Sequence, residues 1–256
     1  MKYIILVIFT ILQLSASVIK LPLNSVDLQN NQDVVKIDKI DIGLSGFIVH
    51  KISKEHSVIL KNAVVESFNP QTKTATLKLS DYDALKNNSL PNGKWSVKVG
   101  DTAVLAFGYT RGLLVAPNEE IYHRISKSVQ NIQWIHPDLF ATILSFNSHP
   151  TPLREDFTKF SIVTSTGLIF IYLDKKVFTI DARSFKILAI SDADLKQENI
   201  KLPFYTRVEK IETSWWRFWG EGLEEMKEYE PHYYELLLEA NPNNEVLKNM
   251  MKARGL

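Results

Sequence analysis

The chain has 256 residues, with 30 lysines and arginines against 29 aspartates and glutamates, and no cysteine. A formal net charge of +1 excludes a strongly basic nucleic-acid surface and a polyanionic tail. The missing thiols exclude disulfide staples and cysteine catalysis, so apolar burial must hold the fold, which a chain of 200 to 300 residues supplies by burying about 70 to 75% of its unfolded surface.

Met1-Lys2 gives a positive start, Ile4 to Leu12 an apolar run, and Leu14-Ser15-Ala16-Ser17 a zone of small residues. The pattern predicts a secretory signal peptide over 1–17, cleaved near Ala16 or Ser17, because the apolar run falls short of the roughly 20 residues that span a bilayer. The body is therefore expected outside the cytoplasm, in the periplasm or at the cell surface. Residues 18–117 read as a β-rich domain. Val18 to Asp33 shows little periodicity and is expected as a loose leader into a first strand, Val34 to Ile42.

Phe47 to Ile52, Val58 to Phe68 and Thr74 to Leu79 follow as strands, the last two joined by the turn Asn69-Pro70-Gln71-Thr72. In Thr74 to Leu79 the apolar side chains alternate strictly with polar ones, the mark of a half-buried strand. Trp95, Val97 and Val99 alternate up to the Gly100-Asp101 turn, Thr102 to Phe107 runs to turn glycines at Gly108 and Gly112, and Leu113 to Val115 completes five or six strands. That spacing predicts an antiparallel barrel or sandwich.

Residues 118–212 read as an α+β unit. Asn118-Glu119-Glu120 places a capping side chain and two carboxylates at the start of a helix over Glu119 to Val129, with Ile121, Ile125 and Val129 on one face. Pro137 opens a helix to Phe146, and Thr151-Pro152 opens one to Phe160. Gly167 to Leu173, Val177 to Ile180 and Phe185 to Ile190 then form a meander whose first strand is apolar on both faces and needs cover on both.

Residues 213–256 hold an aromatic segment and C-terminal helices. Trp215, Trp216, Phe218 and Trp219 fit a protein contact, a membrane-surface contact, stacking on sugar rings or a lid on the protein's own core. Helical patterns follow over Leu223 to Tyr229, Pro231 to Ala240 and Glu245 to Arg254, the last two as a short helical hairpin. The fold class is thus α+β: a barrel or sandwich-like domain, a helix-plus-meander unit and that hairpin.

The six histidines form no pair at metal-ligand helix spacing, Gly108 and Gly112 are not followed by a phosphate-loop lysine, and Ser165 lacks the glycine of a nucleophile elbow. Asp192 and Asp194 read as a solvated turn. The sequence points to no catalytic, metal or cofactor site.

Several stretches resemble the N-terminal domain of bacterial plasminogen-binding proteins of the PgbA/PgbB type. They are Gly46-Phe47-Ile48-Val49, Ser89-Leu90-Pro91, Val99-Gly100-Asp101, Leu114 to Tyr122, Asp138-Leu139, Gly167 to Ile171, Ser184 to Leu188 and Pro203 to Glu209. The resemblance implies an exported, non-catalytic envelope or surface protein of a Gram-negative bacterium that binds host plasminogen through lysines. It also implies a lysine-rich tail ending in lysine, whereas this sequence closes on Ala253-Arg254-Gly255-Leu256 and offers Lys248 and Lys252 as near-terminal candidates. The alternative is a periplasmic scaffold subunit of an envelope assembly or the flagellar base, with the tryptophan segment and the terminal hairpin as its contacts.

Overall fold

The computed structural model describes residues 17–82, 95–211 and 225–256. They form two compact units that divide between Tyr109 and Thr110. Among the described residues no helix is long and apolar enough to cross a membrane; residues 1–16 of the expected signal peptide lie outside them.

The first unit is a closed, six-stranded antiparallel barrel. Its strands are β1 (Ile19–Asp27), β2 (Gln32–Lys36), β3 (Ser45–Lys51), β4 (Ser57–Asn69), β5 (Thr74–Asp81) and β6 (Thr102–Leu105), in the order β1-β2-β5-β4-β3-β6. β6 pairs with both β1 and β3 and so closes the ring. Alternation along each strand fills the interior with Leu23, Val35, Ile48, Ala63, Val65, Ala75, Leu77, Ala103 and Leu105, all at most 2% exposed. Gly46 sits where β3 and β6 run closest: a Cβ there would meet the Val104 carbonyl oxygen at 2.1 Å.

Two expectations for this unit are corrected. Residues 18–33 are no leader, for β1 and the start of β2 lie there; Ile19, Leu21 and Leu23 alternate, while the polar outer residues Asn24 and Ser25 mask the pattern. Trp95 to Val99 is not a strand and has no ladder partner, although Val97 is buried.

The second unit carries a five-stranded mixed sheet in the order β11-β10-β9-β7-β8, made of β7 (Arg111–Val115), β8 (Gln133–Ile135), β9 (Leu168–Leu173), β10 (Lys176–Asp181) and β11 (Ile187–Asp192). β9 to β11 are the expected meander, and all six residues of β9 are buried. The two-residue loop Asp174-Lys175 joins β9 to β10 with both φ values positive, at 46° and 62°, the twist that a tight hairpin needs. Leu113 to Val115, expected as the last strand of the barrel, instead runs parallel to β9 and β8. A run without polar alternation suits a strand covered on both faces better than a barrel wall. Gly112 is part of this strand and no turn glycine, since a Cβ there would press on Ile132 and Phe170 at 2.8 and 2.9 Å.

Helices α1 (Glu119–Ser128), α2 (Pro137–Asn147), α3 (Arg154–Thr164), α4 (Tyr229–Ala240) and α5 (Glu245–Ala253) complete the unit. Phe140, Leu144, Phe157 and Phe160 of α2 and α3 share a core with Ile169, Ile171, Phe178 and Ile180 of the sheet. α4 brings Tyr229, Tyr233 and Tyr234 into the same core. Each buried phenol needs an acceptor. They find the carbonyls of Val115 and Pro203, at 3.1 and 2.9 Å, and the Asp174 carboxylate, at 2.5 Å. Trp134 on β8 ties the end of α1 to the other sheet face, donating to Ser126 O and stacking edge-on against Phe170. The expected helix over Leu223 to Tyr229 is not seen where it is described, as residues 225–228 are non-helical and α4 begins at Tyr229.

Candidate binding surface

Three segments distant in sequence meet at one end of the second unit. Asn118 caps α1 by accepting from Ile121 N at 2.9 Å. His136 caps α2, its Nδ1 accepting from Asp138 N at 3.2 Å, with Pro137 in the first turn. The 201–207 segment returns along α1, with Lys201 N and Tyr205 N donating to Pro117 O and Ala116 O, both at 2.7 Å.

Asp138 fastens that segment. Its carboxylate accepts from Thr206 Oγ1 at 2.8 Å, Arg207 N at 2.8 Å and Arg207 Nε at 2.7 Å. Burial opposes its charge, but these bonds outweigh burial and hold the carboxyl down at about 2. Tyr205 is thereby laid against Tyr122, ring centroids 5.4 Å apart, and Tyr122 also touches His136 at 5.3 Å and His123 at 5.4 Å. Tyr205 Oη donates to Glu119 Oε1 at 3.1 Å, and His123 Nε2 lies 3.4 Å from the same oxygen. Burial pushes His136 below its ordinary value, so at neutral pH it stays a neutral cap.

A cleft of about 840 Å³ opens beside these rings, lined among others by Glu119, Glu120, Arg124, Lys196, Lys201 and Tyr205. It offers one tyrosine edge and charges of both signs, groups that can pair with a charged or polar partner. Burial raises the Tyr205 phenol. That is the opposite of what an activated nucleophile requires.

The expected site residues fall elsewhere. Trp215, Trp216, Phe218 and Trp219 lie outside the described residues. Lys248 and Lys252 are on α5, which docks through buried Leu247 and through an Arg254 ion pair with Asp174. Lys248 Nζ is 3.4 Å from Glu245 Oε1, while Lys252 is exposed in the last turn. Sequence reasoning missed the Tyr122, Asp138 and Tyr205 cluster because its members are up to 83 positions apart; the one signal was that all three sit in the stretches that carried the family resemblance.

Other polar clusters have structural explanations. Ligand atoms of His149, Glu155 and Asp156 lie within 4.8 Å of one another. The buried Asp156 carboxylate, however, is already engaged by the N-cap amide Leu153 N at 2.9 Å and by His149 Nδ1 at 2.8 Å, and so steadies the start of α3 from its third position. Asp192 pairs with Lys176, and Asp194 with Lys175 at 2.6 Å.

The family model described as plasminogen-binding protein PgbA, N-terminal, matches residues 18–237, which takes in the barrel, the second sheet and nearly all of α4. The chain belongs to this family. It is 27% identical over 175 residues to the plasminogen-binding protein PgbA of Helicobacter pylori strain J99. It is 26% identical over 175 residues to that of strain 26695. Both matches cover 68% of this chain but only 37% of the relative, so the chain spans little more than a third of the length of those proteins. No solved structure matches the chain. The match takes in Leu114 to Tyr122, Asp138-Leu139 and Pro203 to Glu209, the three segments that Asp138 and Tyr205 join.

Proposed function

We propose that this protein is exported to the envelope of a Gram-negative bacterium, where it binds plasminogen or a plasminogen-like partner and performs no reaction. The observation that carries this reading is the family match over residues 18–237, together with relatives named for binding plasminogen. The lysines on α5 support it, Lys252 exposed and Lys248 half-exposed beside Glu245, since an ammonium at the surface of a docked helix is accessible to a lysine-recognising partner. Purified protein is expected to capture plasminogen, and a free lysine analogue to displace it. Lys248→Ala with Lys252→Ala should weaken capture by about tenfold, equivalent to about 1.4 kcal/mol. Undiminished capture by the double variant would remove these two lysines from the contact. No capture by the parent protein would remove the plasminogen reading itself.

Export is tested by fractionation, which should place the mature chain in the periplasm, the outer membrane or the surface-accessible fraction. The aromatic run Trp215, Trp216, Phe218 and Trp219 supports a second contact, with an envelope-assembly protein. In that reading Trp216→Ala with Trp219→Ala loses partners from envelope pull-downs.

A further inference from the structure

On β2 the period of two puts Asp33 on the same face as Val35, and both are fully buried, at 0% exposure. The ladder seats Asp33 opposite Val26 of β1 and Leu77 of β5, and Leu77 opposite Val65 of β4. Leu77 and Val65 are at most 1% exposed, so the carboxyl lies in an apolar row of the barrel wall. Neither of its oxygens has a hydrogen-bond partner among the described residues. An ionised carboxylate left like this is strongly disfavoured, because nothing replaces the water it has lost.

The charged and titratable surroundings make ionisation harder still. β1, β4, β5 and β6 turn Leu23, Ala63, Val65, Ala75, Leu77, Leu79, Ala103 and Leu105 to the interior, and none of these titrates. The turn before β6 supplies Asp101, 4% exposed, and β3 supplies His50. Asp101 spends its oxygens on His50 Nδ1 at 2.7 Å and Lys98 N at 2.9 Å, and acts on Asp33 as a like charge. No lysine or arginine among the described residues reaches Asp33 to offset that charge.

We propose that Asp33 is a proton-binding site inside the barrel, through which the barrel tightens as its surroundings acidify and loosens as they become neutral. Burial first, and the Asp101 charge second, push the Asp33 carboxyl up to about 6 from an ordinary 3.8. A raised carboxyl favours the folded state fully below the unfolded value and loses that advantage as pH rises through the folded one. The loss is therefore centred on pH 4 to 6, and the folded-to-unfolded ratio falls about a hundredfold in all from well below pH 4 to well above pH 6.

The decisive experiment follows the Asp33 carboxyl carbon by NMR in the full chain, assigned through its own backbone amide. A midpoint near 6 is expected, and one at or below 4.5 overturns the proposal. Asp33→Asn adds a second readout. Amide protection of β2 and β5 should rise about a hundredfold over the parent at pH 7.5 and stay level with it at pH 4. A variant no better protected than the parent at pH 7.5 overturns the proposal as well. Should the variant fail to fold, the titration of the parent protein decides alone.

Discussion

Replacing Gly46 with alanine is expected to destabilise the barrel by about 3 kcal/mol or more, a large share of the 5 to 15 kcal/mol that holds a typical domain. The reason is space and not backbone torsion. The added methyl would lie 2.1 Å from Val104 O, 2.7 Å from Leu105 Cα and 2.9 Å from Val104 C. All three are backbone atoms, so no side chain can swing aside and the β3–β6 ladder itself must part. That ladder helps to close the ring, with Gly46 opposite Leu105 and Phe47 opposite Val104. Hydrogen exchange should show β3 and β6 losing protection first, with β9 and β10 keeping theirs because their core belongs to the other unit. An unchanged urea midpoint would contradict the close approach.

The second large effect is expected at Asp138. Alanine there strips partners from Thr206 Oγ1, Arg207 N and Arg207 Nε at once, at a cost of about 3 kcal/mol. Asparagine should fall between the two, since it can still accept from Thr206 or the backbone but offers no charge to the guanidinium. The pH dependence separates this from simple packing loss. A carboxyl held at about 2 stabilises the fold fully above its ordinary 3.8, and that contribution, about 2 kcal/mol, disappears as pH falls from 4 to 2. The parent should lose it and Asp138→Asn should not. If plasminogen capture depends on the cleft beside Tyr205, Asp138→Ala should weaken capture even where the fold survives, because Tyr205 is no longer held against Tyr122.

What was legible in the chain follows from how local each signal is. The meander Leu168 to Asp192 was readable because its period and its Asp174-Lys175 turn are short-range. The caps of α1 and α2 were readable too, since Asn118 and Pro137 act within one helical turn. β1 was lost because its outward residues are polar and run straight into the turn at 28–31, and its inward side is fixed by ladders to β2 and to β6, the latter about 80 positions on. β7 was placed in the wrong unit because a short apolar strand does not declare its neighbours. The same limit hid the Asp138 clasp and the Asp33 environment: each depends on side chains brought together by topology, and Asp33 reads in sequence as one more residue of a polar stretch.

Because the ring of six strands closes on itself, its ladder has no edge strand among the described residues on which a stranger's backbone could zip. A partner must therefore read that unit through side chains and loop tips. Borrowed-strand recognition is left to the outer strands of the mixed sheet, the three residues of β8 and the six of β11. Copies of the protein at high concentration would thus meet through two short sheet margins per molecule, and polymerisation by runaway strand exchange has little to start from.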